Sequence, residues 1–301
     1  MGVVFLGILD SIATWFCGLL ADGIYACVDC GCKYYNVFCK FAVNLLVQKP
    51  QNWGPDAWQV IKNINSIFIA VGTSLVAFFF LLGLYNELQD SKLDVRFEAV
   101  LFDFIKLLLA EYFVSNSFTI VTKMINFIYK EMIEKLTGTV TFELQRADAF
   151  TQHVENLIDD QSAGNLLIAL LMAFIIMLVF FVCGLALAYI GLKRFIKLMV
   201  IIPWGTVACS TLAGGNVVRQ SAVSFWKFLL CTVCEAVTML ICIAVFAAFF
   251  TGDEIGVVAD DSSLSDIMYV TDWLLERALQ AVVCVGTVAG SGGLTQRALG
   301  L

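Results

Sequence analysis

A long run of apolar residues without any charge occupies the middle of the chain, at residues 165–190. As an α-helix this run is about 39 Å long at about 1.5 Å per residue, which exceeds the roughly 30 Å hydrocarbon core of a bilayer. Two similar runs cover residues 64–85, which carry no charge, and residues 222–250, which carry only Lys227 and Glu235. This pattern predicts a protein that crosses a membrane as α-helices.

Two weaker runs are apolar on average but interrupted by charges. They are residues 98–118, with Asp103, Lys106 and Glu111, and residues 267–290, with Asp272, Glu276 and Arg277. A lone charge at the centre of a bilayer costs about 2.5–3.5 kcal/mol on insertion scales, so we expect these charges to face protein or water. Taken together, the runs predict about five crossings.

Residues 196–215 are also apolar but contain Pro203, Gly205 and the pair Gly214–Gly215. Backbone that is not helical is tolerated at membrane depth only where protein or water surrounds it. We therefore expect a short, broken or re-entrant helix near Pro203.

The N-terminal segment has a different pattern, in which small or polar residues recur at steps of three or four. These residues are Gly7, Ser11, Thr14, Gly18, Asp22, Tyr25 and Asp29. Large apolar residues lie on the opposite face, which predicts an amphipathic helix that lies in the membrane interface or packs its small face on a neighbour. The expected architecture is an all-α polytopic membrane protein, with an N-terminal interfacial segment at residues 1–60 and a transmembrane helical domain at residues 61–301.

The composition agrees with this class. Hydrophobic residues make up 60% of the chain and charged residues only 14%, values that are typical of membrane proteins. The formal net charge is −7, and the sequence has no block of consecutive basic residues. It is therefore not built to bind nucleic acid through a strongly basic surface.

The charge of the connections predicts an orientation, because short cytoplasmic connections are rich in Lys and Arg. Basic residues follow two of the strong runs, whereas residues 251–276 contain acids and no Lys or Arg. With five crossings, the basic connections fall on the cytoplasmic side, so the N-terminus is predicted outside and the C-terminus inside. The basic residues concerned are Lys92, Arg96, Lys193, Arg194, Lys197, Arg219 and Arg297.

The chain has 11 cysteines, of which Cys27, Cys30, Cys32 and Cys39 form a cluster. Four thiolates this close could bind zinc or an iron–sulfur cluster, or could pair as disulfides in an oxidising compartment. The spacing does not match a zinc or iron–sulfur pattern, and the nearby Asp22 and Asp29 disfavour thiolates. We expect no bound metal, no other cofactor, and at most a facultative disulfide such as Cys27–Cys32 or Cys30–Cys39.

Sequence motifs for catalysis are absent. His153 is the only histidine and has no second His or Cys nearby, which disfavours a metal or catalytic role. The sequence has no Gly-x-Ser-x-Gly, Walker loop, dinucleotide fingerprint or HExxH. No catalytic residue is predicted, an enzyme is not expected, and a pump that hydrolyses ATP itself is disfavoured.

The charged residues inside the apolar runs are the candidate functional residues: Asp103, Lys106, Glu111 and Glu235. Asp103 and Lys106 are three residues apart and can pair on one helix face, which favours a role in helix assembly. Glu235 lies midway along its run, and two interpretations stay open for it. One is an ion or proton path through a polar lumen, and the other is a hydrogen bond between helices.

Three stretches carry a resemblance to a known family. They are residues 48–88 (QKPQNWGPDAWQVIKNINSIFIAVGTSLVAFFFLLGLYNEL), residues 104–130 (FIKLLLAEYFVSNSFTIVTKMINFIYK), and residues 191–215 (GLKRFIKLMVIIPWGTVACSTLAGG) continuing into 224–249 (SFWKFLLCTVCEAVTMLICIAVFAAF). They resemble the TrbL-like polytopic membrane subunits of type IV secretion (conjugative transfer) systems, and most closely the branch found in mobile elements of Gram-positive bacteria. The cysteine-rich N-terminus departs from that pattern.

The resemblance implies a function that composition and spacing do not. It implies a non-enzymatic channel or scaffold subunit in the cytoplasmic membrane of a bacterium, which helps to translocate a DNA–protein substrate. The implied partners are other type IV secretion subunits, including separate ATPases, further copies of the same chain, the lipid bilayer, and single-stranded DNA in transient contact.

Two other interpretations stay open. A stand-alone small-solute transporter or channel should show inverted repeats or paired broken helices, and the sequence shows one broken element near Pro203 without a counterpart. A membrane scaffold without a lumen is the second.

The predicted orientation can be tested by labelling single cysteines in intact cells, on a background without the native cysteines. A cysteine at Ser263, in the acidic connection, should react with an impermeant thiol reagent, whereas a cysteine at Ser291 should be protected. The reverse labelling pattern would show that the orientation is inverted.

Overall fold

Every regular element in the computed structural model is helical, over the described residues 2–90, 97–138, 143–160, 163–251 and 265–300. The helices are α1 (Gly2–Val47), α2 (Pro50–Trp53), α3 (Pro55–Asp90), α4 (Phe97–Ile128), α5 (Glu134–Thr137), α6 (Asp148–Asp159), α7 (Ala163–Ser210), α8 (Asn216–Thr251) and α9 (Asp266–Ala298). A π-helical turn, Tyr129–Ile133, joins α4 to α5, and a 3₁₀ turn, Thr211–Ala213, follows α7. The expected all-α fold is confirmed.

Six helices of the described chain are long and apolar enough to cross a membrane. They are Ile12–Val47, Pro55–Tyr85, Leu101–Thr137, Ala163–Ala213, Val218–Ala248 and Asp266–Ala298. Five of them overlap the five runs that the sequence predicts, and the sixth lies in α1, which the sequence analysis assigned to the interface. The multi-pass membrane architecture is therefore confirmed, with one more candidate span than expected.

The prediction of a broken helix near Pro203 is wrong. Helix α7 passes through Pro203 without interruption and continues to Ser210, and the chain turns only at Thr211–Ala213 and the glycines that follow. Proline removes one backbone hydrogen bond, but neighbouring helices and small backbone adjustments make up for this loss in membrane helices. The break therefore lies at Gly214 and Gly215, where the backbone is no longer helical.

The cysteine pairs proposed from the sequence are incompatible with α1. Cys27, Cys30, Cys32 and Cys39 all lie on this one continuous helix, and all four are free thiols. At about 1.5 Å per residue, Cys30 and Cys39 are separated by about 13 Å along the axis, and Cys27 and Cys32 by about 7.5 Å. A disulfide requires Cα atoms within about 7 Å, so neither pair can form while α1 is intact.

The chain divides into two compact units. Unit 1 comprises Met1–Asn44, Thr139–Ile190 and Ile241–Gly290, and unit 2 comprises Leu45–Gly138, Gly191–Leu240 and Ser291–Leu301. The domain boundary expected at residue 60 remains a prediction.

In unit 1, helix α1 runs parallel to the first half of α7 in close contact. A Cβ atom on Gly31 would lie 3.2 Å from the Cα of Met177, and one on Gly184 would lie 3.2 Å from the Cα of Tyr35. Glycine at both positions thus lets the two backbones approach, as is common between membrane helices. Phe38 and Phe181 pack edge to face beside this contact, with ring centroids 5.6 Å apart.

An extended segment, residues 143–147, lies against α1 in the same unit. The side-chain amide of Asn36 pairs with the backbone of Leu144 through two hydrogen bonds of 2.9 Å, as a neighbouring strand would. Lys40 forms an ion pair of 2.8 Å with Glu143, and this hydrogen-bonded ammonium lowers the pKa of the Glu143 carboxyl. Arg146 lies over the Tyr25 ring, 4.3 Å from its centroid, and ends the segment. These contacts fix the polar connection that leads into α6.

In unit 2, the core lies between α3, α4 and the end of α7. Its buried residues are Val76, Ala110, Val114, Cys209 and Ala213, with Trp226 of α8 packed against them. Gly83 of α3 approaches the backbone at Gly215, which places the C-terminal part of α3 beside the turn after α7. The packing of these apolar residues fixes the rotation of each helix, and therefore which of its polar residues face the interior of unit 2.

Some of the charged residues from which the orientation was predicted lie outside the described ranges. Lys92, Arg96 and the acidic residues 253–261 belong to this group. Lys193, Arg194 and Lys197, which the sequence analysis counted as a basic connection, lie inside α7. The inside C-terminus depends on the charges of the remaining connections, whereas the outside N-terminus also requires that α1 does not cross. Both remain predictions.

Replacing Gly184 by leucine should destabilise unit 1, because the new side chain would meet the Tyr35 backbone, which cannot move aside. We expect a loss of about 1–3 kcal/mol in the free energy of unfolding, measured by thermal unfolding in detergent. Gly286→Leu is the matched control, since a Cβ there has no neighbour within 4 Å among the described residues. Equal stability of the two variants would contradict the close helix contact.

Candidate functional site

Buried polar residues of unit 2 lie around the second half of α7, and we call this set the polar core. Its members are Asn65 of α3, Ser117 of α4, Tyr129 of the π-helical turn, and Arg194 and Thr206 of α7. All are exposed by 2% or less of their surface. Ionisable groups are rare inside membrane helices, and buried polar groups there point either to assembly or to function.

Arg194 is the most unusual member because its guanidinium is buried with no carboxylate of the described residues within 4.0 Å. It donates to the backbone oxygens of Thr232 and Val233 on α8, at 3.4 and 3.2 Å, and to the Tyr129 hydroxyl at 3.5 Å. Its Nε has no hydrogen-bond partner among the described residues. One side chain thus ties α7 to α8 and to the end of α4.

The π-helical turn places Tyr129 for this contact. A π turn inserts one extra residue into a helix and changes the register of the side chains that follow, and such turns often occur at functional sites. Tyr129 and Ile133, at the two ends of the turn, are both fully buried. Tyr129 and Ile133 are four residues apart and thus both face the interior of unit 2.

A second part of the polar core joins three helices through hydroxyl and amide groups. Thr206 donates to Asn65 Oδ1 at 3.1 Å, and its hydroxyl lies 3.0 Å from that of Ser117. Because the single Thr206 proton is used by Asn65, Ser117 is the donor in the second bond. A Cβ on Gly72 would lie 3.0 Å from Thr206 Cγ2, so the absence of a side chain at Gly72 leaves room for the Thr206 side chain.

Glu235, a residue predicted from the sequence, lies beside this region. Its carboxylate is 3.6 Å from the Lys197 ammonium, which also lies 5.2 Å from the centroid of the Phe228 ring. A Cβ on Gly292 would come within 2.8 Å of Glu235 Oε1, so the carboxylate occupies the space that glycine leaves on α9. Of the two interpretations, this ion pair between α7 and α8 favours assembly.

The other predicted residues lie on α4, away from Glu235. Asp103 is 7% exposed and forms an ion pair of 2.6 Å with Lys106, as predicted from their spacing. Glu111 accepts a hydrogen bond of 3.1 Å from the Thr73 hydroxyl on α3. The structure therefore brings the four residues to three separate places and forms no single site from them.

The structure assigns His153 a packing position in unit 1. Its Nδ1 lies 2.6 Å from Asp266 Oδ1, and its ring stacks on Tyr269 with centroids 4.0 Å apart. This contact holds α6 against the start of α9. Within the described ranges, no group of three or more His, Cys, Asp or Glu residues is arranged to hold a metal ion.

Sequence analysis missed the roles of Arg194 and Thr206, although a signal was present. It placed Arg194 in a loop because a basic pair follows the uncharged run at 165–190. Within a continuous helix, Arg194 lies on the same face as Leu187, Leu198 and Ile202, which are all buried. Continuing the helical period past residue 190 would have placed Arg194 inward.

Arg194→Ala should destabilise unit 2, because it removes the bonds between three helices and leaves a cavity. We expect a loss of about 2–4 kcal/mol in the free energy of unfolding, measured by thermal unfolding in detergent. Arg194→Met, which keeps the volume, should recover part of that loss. Lys193→Ala is the control because Lys193 is exposed, and an equal effect of the two alanine variants would contradict the role of Arg194.

Comparison with known proteins identifies the family. Residues 39–206, more than half of the chain, match the model of the family described as TrbL/VirB6 plasmid conjugal transfer like protein. No curated protein and no solved structure matches the chain. The match covers α3, α4, α6 and most of α7, including Arg194 and Thr206 of the polar core. This multi-pass membrane protein belongs to the TrbL/VirB6-like family of plasmid conjugal transfer proteins.

Proposed function

We propose that the protein is a non-enzymatic channel or scaffold subunit of a conjugative type IV secretion machine. In this function it helps a DNA–protein substrate to cross the cytoplasmic membrane of the donor bacterium. The observation that carries the proposal is the family match over residues 39–206. The Gram-positive branch suggested by the sequence is part of the same proposal.

The polar core and the neighbouring Glu235 support a structural role in such a machine. Arg194, Thr206 and Glu235 each connect helices that are far apart in the sequence, through hydrogen bonds or an ion pair. Buried polar contacts of this kind fix how membrane helices pack, because hydrocarbon offers no other partner for these groups. A subunit that holds a pathway open against the bilayer needs this fixed packing.

We propose that partner proteins supply the energy for transport. The sequence has no Walker loop, so we propose that separate ATPases of the machine drive the substrate. We also propose that several copies of the chain assemble with other secretion subunits, with single-stranded DNA in transient contact. The C-terminus is proposed to face the cytoplasm because Arg219 and Arg297 flank the last two spans.

A stand-alone solute transporter is the alternative, and the continuity of α7 makes it weaker. Many transporters bind their substrate where two helices of related repeats are broken at mid-membrane. The sequence shows one broken element, near Pro203, without a counterpart, and α7 continues through Pro203 to Ser210. Pro203 therefore does not supply one of the paired breaks that such a transporter needs.

Deleting the gene from a donor cell that carries its conjugative element should abolish transfer. We expect transconjugants per donor to fall at least a thousandfold, as is expected when an essential membrane subunit is lost, and to recover when the wild-type chain is supplied from a plasmid. Lys193→Ala should complement as well as the wild type, because Lys193 is exposed and outside the polar core.

Two results together would contradict this function. If the deletion strain conjugates normally and the purified protein takes up solute in liposomes, the protein is a transporter instead.

A further inference from the structure

Helix α1 exposes a polar stripe along one side in unit 1. Its members follow one another at steps of three or four residues, which places them on a single face of the helix. They are Asp22, Ala26, Asp29, Lys33, Val37 and Lys40, and all of them are exposed. Four of the six are charged, so this side of α1 is suited to contact with water.

The extended segment 143–147 widens this stripe. Ion pairs join the segment to α1, between Glu143 and Lys40 at 2.8 Å and between Arg146 and Asp29 at 3.3 Å. A groove of about 370 Å³, lined by both ion pairs and by Lys33, opens to the outside here. This volume is many times the roughly 30 Å³ that one water molecule occupies in the liquid. We call the α1 stripe and residues 143–147 together the polar face.

The depth of the polar face in the membrane follows from α7. Residues 163–192 carry no charge, and a hydrocarbon core of about 30 Å takes about 20 residues of a helix. Every stretch of that length within 163–192 contains residues 173–182. These residues therefore lie in the hydrocarbon core wherever the bilayer is placed on the uncharged part of α7.

The contact between α7 and α1 gives the polar face the same depth. A Cβ on Gly31 would lie 3.2 Å from the Cα of Met177, so Gly31 is level with the middle of the uncharged part of α7. Asp29 and Lys33 are two residues before and after Gly31, within about 3 Å of that level along the helix axis. Arg146 reaches the same depth through its ion pair with Asp29.

Lipid is not a suitable neighbour for the polar face. The side chains of Asp29 and Glu143 remain 57% and 58% exposed although both are in ion pairs. Charges exposed to hydrocarbon are costly, and backbone that is not helical does not occur exposed to lipid at membrane depth. Residues 143–147 are extended rather than helical. The polar face therefore requires water or protein beside it.

The outer surfaces of α7 and α9 in unit 1 have the opposite character. Every exposed residue of α7 between 166 and 188, and of α9 between 275 and 290, is apolar or glycine. Phe174, Leu178 and Leu279 are examples, each at least 47% exposed. A second copy that packed these surfaces on the polar face would leave its charges without partners. Water compensates them, because it solvates charges of both signs and free backbone groups.

We propose that the polar face of unit 1 lines a water-filled cavity at membrane depth. Asp29, Lys33 and Arg146 then keep their hydration inside the bilayer, while α7 and α9 face lipid on the outside. The proposal deepens the proposed function, on which it rests for what passes: of the two roles, channel and scaffold, the cavity favours the channel. A hydrated substrate moves along this face.

Reaction of single cysteines with a water-soluble reagent tests the cavity. Ala26→Cys and Lys33→Cys place the thiol on the polar face, and Leu178→Cys places it on the apolar surface of α7 at the same depth. Each is made on a background without native cysteines, and open membrane fragments are treated with a charged methanethiosulfonate. Because the reactive thiolate forms in water, the two cysteines of the polar face should react at least tenfold faster than the control. All three should react equally after denaturation.

Two outcomes of this labelling would overturn the proposal. If Ala26→Cys and Lys33→Cys react as slowly as Leu178→Cys, lipid or a second copy covers the polar face. If all three react equally fast before denaturation, this part of α7 does not lie in the hydrocarbon core.

Insertion of a charge gives a second test that keeps the native cysteines. Ala26→Lys should leave the amount of folded protein in the membrane within twofold of the wild type, because water solvates the new ammonium. Leu178→Lys, the matched control, should reduce that amount at least fivefold, because it exposes a charge to lipid. Equal losses in the two variants would contradict the cavity.

The cavity and the proposed function can fail separately. If both tests fail while the gene deletion still abolishes transfer, the cavity is wrong and the proposed function stands. If both succeed while the deletion strain conjugates normally, the cavity stands and the proposed function is wrong.

Discussion

Hydrocarbon cannot hydrogen-bond to a buried polar group, and the packing of this protein follows from that constraint. Arg194 shows it most clearly, because its guanidinium is buried and binds two carbonyl groups of α8 and the hydroxyl of Tyr129. These bonds hold only when α4, α7 and α8 lie in one arrangement. The hydrogen bonds of Thr206 to Asn65 and Ser117 likewise require one arrangement of α3, α4 and α7. The polar residues therefore set the register of the helices, and the apolar residues fill the space between them.

The same constraint separates the charges of unit 2 into two kinds. Asp103 and Glu235 are compensated within the chain, by Lys106 and Lys197. Glu111 is met by a neutral group instead, because it accepts a hydrogen bond from the Thr73 hydroxyl on α3. Charged residues of unit 2 thus contact neighbouring groups either through an ion pair or through a hydrogen bond.

Family membership fits this organisation. The matched residues 39–206 contain the helices that contribute Asn65, Ser117, Tyr129, Arg194 and Thr206. The chain thus combines a transfer-family segment with a polar core that joins helices and shows no catalytic motif.

The sequence by itself determined the class of the protein and the position of five spans, because length and the absence of charge are local properties. It also identified the Asp103–Lys106 pair, since residues three apart meet on any helix. It could not determine that α7 continues through Pro203, because whether a proline breaks a helix depends on the neighbours that support the backbone. The partners of Arg194 were decided by tertiary structure for the same reason: they lie on the π-helical turn and on α8, distant in sequence. Local pattern says which residues prefer lipid, but only the packed helices decide where each polar residue finds its partner.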